Sequence, residues 1–123
     1  MTNEMIELGK RAVACKGWRW MPGMRVEWVG MSTGWRMLSE TQSWYEREEV
    51  QDGEPGGPNA IPDLTDPATL GCVLALVREA WSDPQIYVAG RGLWDVFTGH
   101  DVEIVQDQYT EEEALVSALE AAP

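Results

Sequence analysis

Residues 61–81 read IPDLTDPATLGCVLALVREAW, and this stretch decides how the rest of the chain is arranged. Asp66 followed by Pro67 marks a helix start. The Asp66 carboxylate can accept hydrogen bonds from first-turn amides, and Pro67 suits the first helical position, where its missing N–H would have no intrahelical partner. Ser82-Asp83-Pro84 supplies the stop, because proline drives the residue before it out of the helical region. Between these signals Leu70, Val73, Leu74, Val77 and Trp81 recur at helical spacing, flanked by Cys72, Ala75, Leu76 and Ala80, a stripe broad enough to seat a sheet.

Working back toward the amino terminus, residues 3–15 carry Met5, Ile6, Leu8, Ala12 and Val13 on one stripe, with Thr2 or Asn3 as cap and Gly17 expected to close the helix in the left-handed conformation. Three short strands follow, RVEWV (25–29), WRMLS (35–39) and SWYEREEV (43–50), at the spacing of an antiparallel meander. The third is charged on both sides and reads as an edge strand. Residues 51–60, QDGEPGGPNA, lack an apolar anchor and read as a mobile Gly/Pro-rich loop.

Beyond the central helix, QIYVA (85–89), LWDVFT (93–98) and VEIVQ (102–106) form a second meander with turns at 90–92 and 99–101. Leu93, Trp94, Val96 and Phe97 are apolar on both faces, the pattern of a central strand covered on two sides. Thr110 and Glu113 mark the start of a closing helix with Ala114, Leu115, Ala118 and Leu119 on its apolar stripe. The whole chain, residues 1–123, therefore reads as a single domain of the α+β class, an α/β/α-type sandwich with a mostly antiparallel sheet, in the order helix, three strands, helix, three strands, helix.

Charge is the loudest compositional signal: 9 Lys and Arg stand against 21 Asp and Glu, a formal net charge of −12. The distribution is uneven. Residues 1–47 hold seven basic and five acidic side chains, which leaves −14 on residues 48–123. Such a field repels nucleic acid and anionic membranes and attracts basic protein surfaces, so direct nucleic-acid or membrane binding is not expected. No run approaches the roughly 20 apolar residues that a membrane-spanning helix needs. Cys15 and Cys72, both placed in helices, read as free thiols of a reducing cytoplasm.

The search for chemistry returns little. His100, the one histidine, falls in a turn beside Asp101, where adjacent side chains diverge, so it has no positioned partner for general-base work. Asp95, Asp101 and Glu103 have no recognisable metal-ligand spacing, and QDGEPGGPNA lacks the lysine and hydroxyl residue of a phosphate loop. No catalytic residue, cofactor or metal is assigned, and the reading is not an enzyme.

Two clusters remain. Trp18, Trp20, Trp28 and Trp35 interleave with Lys16, Arg19, Arg25 and Arg36, and Trp18, Trp20, Arg25, Trp28 and Trp35 could line a ligand pocket; the alternative is that these tryptophans fill a core. The second cluster is acidic: Glu46, Glu48, Glu49, Asp52 and Glu54, then Asp107, Glu111 and Glu112, followed by Glu113. If these converge they form a patch for the arginines and lysines that grip a phosphate backbone; otherwise they are a solvated face.

A helix running into Gly17-Trp18, short strands, a Pro-x-x-Thr-Asp step (Pro62, Thr65, Asp66) opening a long apolar helix, then strands and a last helix together resemble the small proteins grouped as the phage ABA sandwich domain. The resemblance spans nearly the whole chain. It implies an α/β/α sandwich and a phage accessory protein acting in the cytoplasm of an infected bacterium, and it implies no catalytic residue. The charged SWYEREEV departs from it, so part of the sandwich is expected to be open. The leading expectation is a non-enzymatic anti-CRISPR-type inhibitor that docks its acid on a host protein with a basic nucleic-acid-binding groove. Two alternatives are a module that sequesters a nucleotide or other small ligand in the Trp/Arg pocket, and a virion structural or assembly protein.

Overall fold

A computed structural model describes residues 2–30, 34–37, 42–45, 50–52 and 59–123. The fold is α+β, in the order helix, strands, helix, strands, helix. Helix α1 (Asn3–Val13) starts where the Thr2 hydroxyl accepts a hydrogen bond from the Met5 N–H. Strands β1 (Arg25–Trp28), β2 (Trp35–Met37), β3 (Gln42–Tyr45), β4 (Val50–Asp52) and β5 (Ala60–Pro62) form one antiparallel sheet in the spatial order β4-β3-β2-β1-β5. Helix α2 (Pro67–Ala80) leads to a second antiparallel sheet of β6 (Tyr87–Arg91), β7 (Leu93–Phe97) and β8 (Glu103–Gln108), and α3 (Glu111–Glu120) follows.

The helices gather into one layer that both sheets use. Helix α3 lies against β6, β7 and β8 and also against α1 and α2, while α1 packs on β5. The main core joins Leu8 and Ala12 to Val73, Val77, Val96 and Leu115, all buried. Every residue of the predicted α3 stripe is buried, as is Val116. A smaller cluster of Val26, Met37 and Ala60 sits under the five-stranded sheet.

Several expectations are corrected. SWYEREEV is not one strand: β3 and β4 pair antiparallel, with Gln42 opposite Asp52 and Trp44 opposite Val50. Strand β3 is therefore interior and the edge passes to β4; residues 46–49 lie outside the described residues. The loop at 51–60 is shorter than expected, since Gln51 and Asp52 belong to β4 and Ala60 opens β5; residues 53–58 lie outside the described residues. Strand β5 escaped notice because it contains Pro62, but it is the sheet's other edge, where a missing N–H is tolerated.

Gly17 does not close α1. The helix ends at Val13 with Ala14 as its cap in the right-handed region, which leaves Cys15 beyond the helix. A Cβ at Gly17 would lie 3.2 Å from Ala80 Cβ, so close packing on α2 accounts for the glycine. Strand β6 begins two residues later than predicted, because the Asp83 side chain accepts from the Gln85 N–H and holds a turn there. It runs through Gly90, where a Cβ would stand 2.9 Å from the Trp94 ring. Strand β7 is central, but α3 covers only the face of Val96 and Trp94. On the other face Leu93, Asp95 and Phe97 are half-buried, and Phe97 stacks on Tyr87 from the neighbouring strand.

The start of α2 is fastened to the five-stranded sheet by ionic hydrogen bonds. Arg36 Nη1 and Nη2 donate to Asp66 Oδ2 and Oδ1, each at 3.0 Å, and Nη1 also reaches the Gly23 carbonyl. Asp66 Oδ2 accepts in addition from the Thr69 N–H and hydroxyl. Thr69, fully buried, accepts in turn from the Arg25 N–H at 2.8 Å. The Arg36 hydrogen bonds, followed by those from Thr69, hold the Asp66 carboxyl down at about 2.

A group whose folded pKa is depressed stabilises fully above its ordinary value and ceases to do so as pH falls through the folded one. The Asp66 contribution is therefore complete above about pH 4 and is lost toward about pH 2. Asp66→Ala should cost about 2–3 kcal/mol at pH 7 and flatten the acid limb of stability between these values, measured by urea unfolding at stepped pH. A second test concerns Ser82, which follows the α2 cap with φ 51°. Glycine adopts this conformation without a Cβ clash, so Ser82→Gly should stabilise by about 0.5–1 kcal/mol and raise the melting temperature by a few degrees.

Candidate functional site

The predicted pocket residues do assemble, as two aromatic pairs. Trp18 and Trp20 meet edge to face with centroids 5.3 Å apart, and Trp28 and Trp35 do the same at 5.3 Å. Register places Val26 opposite Trp35 and Trp28 opposite Ala60, so Trp28 and Trp35 share a sheet face with Val26, Met37 and Ala60. All four tryptophans are half-buried and pack against core clusters, Trp20 against both. Trp18 carries one unmet requirement, an indole N–H that is buried with no partner among the described residues.

Arg25 is engaged inside the protein. Its Nε lies 3.0 Å from Glu27 Oε1 and 3.5 Å from Asp63 Oδ2, and the three side chains are 16–18% exposed. Gly34 makes room for this group, since a Cβ there would come within 2.6 Å of Arg25 Nη2 and 2.7 Å of Glu27 Oε1. A guanidinium already held by two carboxylates has little charge left for an anionic ligand. The aromatic set is thus packed as a core margin.

The acidic residues divide between the two sheets. Asp52 lies in β4, at the edge of the five-stranded sheet remote from β5, while Glu46, Glu48, Glu49 and Glu54 lie outside the described residues. Asp107, Glu111 and Glu112 come together at the corner where β8 meets α3. Asp107 has φ 57°, and its N–H donates to Asp95 Oδ1 at 2.8 Å, which draws Asp95 of β7 to the same corner. The Thr110 hydroxyl accepts from the Glu113 N–H, so the three glutamates stand in the first turn of α3, where the helix dipole favours negative charge. Tyr109, beside the cap, is 81% exposed.

Pairing across the molecule sharpens this picture. Arginines of the amino-terminal half meet carboxylates of the other half: Arg11 with Glu120, Arg19 with Glu79, Arg25 with Asp63, and Arg36 with Asp66. Among the described residues no ion pair involves Asp95, Asp101, Glu103, Asp107, Glu111 or Glu112. All six stand on β7, β8, their connecting turn, or the first turn of α3. Strand pairing brings Asp95 to the corner, whereas Asp101 and Glu103 stand at the other end of the same strands, beside Tyr87 and Phe97.

Other chemistry is sparse. His100 is exposed in the β7–β8 turn. Among the described residues no three His, Cys, Asp or Glu side chains gather closely enough to hold a metal ion. A cavity of about 420 Å³ opens between the end of α1 and the end of α3, lined by Arg11, Cys15, Lys16, Gly17, Leu119 and Glu120 among others. Burial pushes the Cys15 thiol up, which disfavours the reactive thiolate there. No described helix is long and apolar enough to cross a membrane.

Trp35→Ala tests the reading of the aromatic set. A core-margin tryptophan should cost about 2–4 kcal/mol when truncated, measured by urea unfolding, whereas a residue kept for ligand contact would leave stability nearly unchanged. In comparisons with protein-family models, curated proteins and solved structures, nothing matches the chain.

Proposed function

We propose that this chain is a non-enzymatic binding protein that docks its acidic β8–α3 corner on the basic, nucleic-acid-binding groove of a protein partner. One observation carries the reading: six carboxylates on one sheet and its following helix have no ion-pair partner among the described residues, while Arg11, Arg19, Arg25 and Arg36 engage Glu120, Glu79, Asp63 and Asp66 elsewhere. Unpaired like charges on one surface create a field that steers a basic partner and repels nucleic acid itself. A phage-encoded inhibitor of a host defence complex would act in this way, occupying the groove that otherwise holds a phosphate backbone. The half-buried, internally engaged Arg25 and its tryptophans give the ligand-sequestering alternative less support.

The test is a variant that neutralises the corner without disturbing it. Asp107→Asn suits the left-handed backbone, since asparagine tolerates it, and Glu111→Gln with Glu112→Gln costs only a few tenths of a kcal/mol each through the helix dipole. Against a partner captured from host lysate, the triple variant should associate about tenfold more slowly, and the wild-type rate should fall steeply with salt. A rate indifferent to salt and to the three substitutions, or a captured partner that still holds its nucleic acid, would overturn the proposal.

A further inference from the structure

The outer face of the β6–β8 sheet carries more than charge. Strand β6 is an edge: β7 pairs with one side of it, and among the described residues nothing pairs with the other. Alternation and register put Tyr87, Ala89 and Arg91 on the face away from α3, together with Leu93, Asp95, Phe97 and Glu103. Tyr87 and Phe97 stack with centroids 5.3 Å apart and planes 19° apart. Phe97, from the inner neighbour β7, stacks on one side of the Tyr87 ring, and Tyr87 is 39% exposed on the edge strand, where a further strand would lie.

The Tyr87 hydroxyl donates to Asp101 Oδ1 at 2.6 Å, which fixes the ring and sets a carboxylate at its tip. That hydrogen bond raises the phenol pKa, so the hydroxyl stays protonated and the ring stays neutral across physiological pH. An aromatic face backed by a second ring, with a carboxylate at its edge and an open row of backbone groups beneath, suits a guanidinium better than an ammonium. Arginine stacks flat on a ring while its N–H fork reaches the carboxylate; lysine offers a compact, strongly hydrated point charge.

Resting on the reading that the partner is a basic protein, we infer that the β6 edge takes an extended, arginine-bearing segment of that partner. One guanidinium stacks on Tyr87 beside Asp101, and the backbone adds to the sheet as a further strand. Charge complementarity selects this occupant over a second copy of the chain, since two molecules of net charge −12 repel. Arg91, four residues along β6, shares this face and its positive charge reaches the Tyr87 phenol, so it is the Asp101 carboxylate that draws a cation to the ring.

Nona-arginine and nona-lysine peptides, titrated into the whole chain by calorimetry with amide chemical shifts recorded in parallel, distinguish the possibilities. The expected result is nona-arginine binding about five- to tenfold tighter, shifts concentrated on residues 87–91, and slowed exchange of the outward amides of β6. Tyr87→Leu, which keeps a strand-compatible apolar side chain at a position already 39% exposed, should bring the two peptides to equal affinity, as should Asp101→Asn in large part. Equal affinity in the wild type overturns the arginine site and leaves the acidic-corner reading standing. So does a preference that survives Tyr87→Leu or maps to the start of α3. Absence of binding by either peptide overturns both.

Discussion

Asp66 carries three burdens at once, and the arrangement of the molecule depends on their coincidence. It caps α2, receives the Arg36 fork from β2, and orients Thr69, whose hydroxyl satisfies the Arg25 N–H of β1. A carboxylate used only as a cap would fix the helix start but not its direction relative to the sheet. The bidentate arginine supplies that direction, because a planar fork on a planar carboxylate tolerates little rotation. Helix α2 is then committed to the layer it shares with α3, where the Trp81 indole N–H donates to the Ala118 carbonyl. The five-stranded sheet, with its small satellite core, is joined to the larger core chiefly through this ionic seam and the α1–β5 contact.

The same use of arginine explains where charge remains. Four arginines of the amino-terminal half reach across to carboxylates of the other half, two of them, Arg25 and Arg36, in partly buried pairs. What looks in sequence like a neutral half and an acidic half becomes, once folded, a braced body and an unbraced surface. Exposed pairs such as Arg19 with Glu79 add little stability individually. Their effect on the surface field is larger, since each removes one carboxylate from the set available to an outside cation.

Much of this was legible in the chain. Asp66-Pro67 and Thr110 announce helix starts through local hydrogen-bond chemistry, and the α3 stripe is buried as its period implied. The misses share a cause. Strand β5 is three residues long with a proline, and β4 is three residues long; neither holds enough alternation for a period to show, and both exist because a neighbouring strand supplies the pairing. Gly17 carried the signature of a helix stop, yet its constraint is contact with Ala80 and Leu119, residues more than sixty positions away. Sequence alone leaves Arg25 open as a ligand group because its partners, Glu27 and Asp63, are brought to it only by strand register and by the β5–α2 connection. The corner formed by Asp95 with Asp107 was hidden for a similar reason: the register shift between β7 and β8 that aligns them has no signature in either strand alone.

Separation of bracing from the exposed acidic surface follows from this geometry. Glu103, Glu111 and Glu112 serve no hydrogen bond to another element among the described residues, and Asp101 serves only the Tyr87 hydroxyl. Asp95 alone at the corner has a structural duty, holding the left-handed turn at Asp107. Neutralising Glu103, Glu111 or Glu112 therefore perturbs the field and leaves the core intact, because these carboxylates belong to no ionic seam among the described residues. The seam at Asp66 has the opposite character: it is poorly placed to meet a partner, and its loss loosens one sheet from the helices. Charge on the β6–β8 face can therefore change independently of the frame that the Asp66 seam holds together.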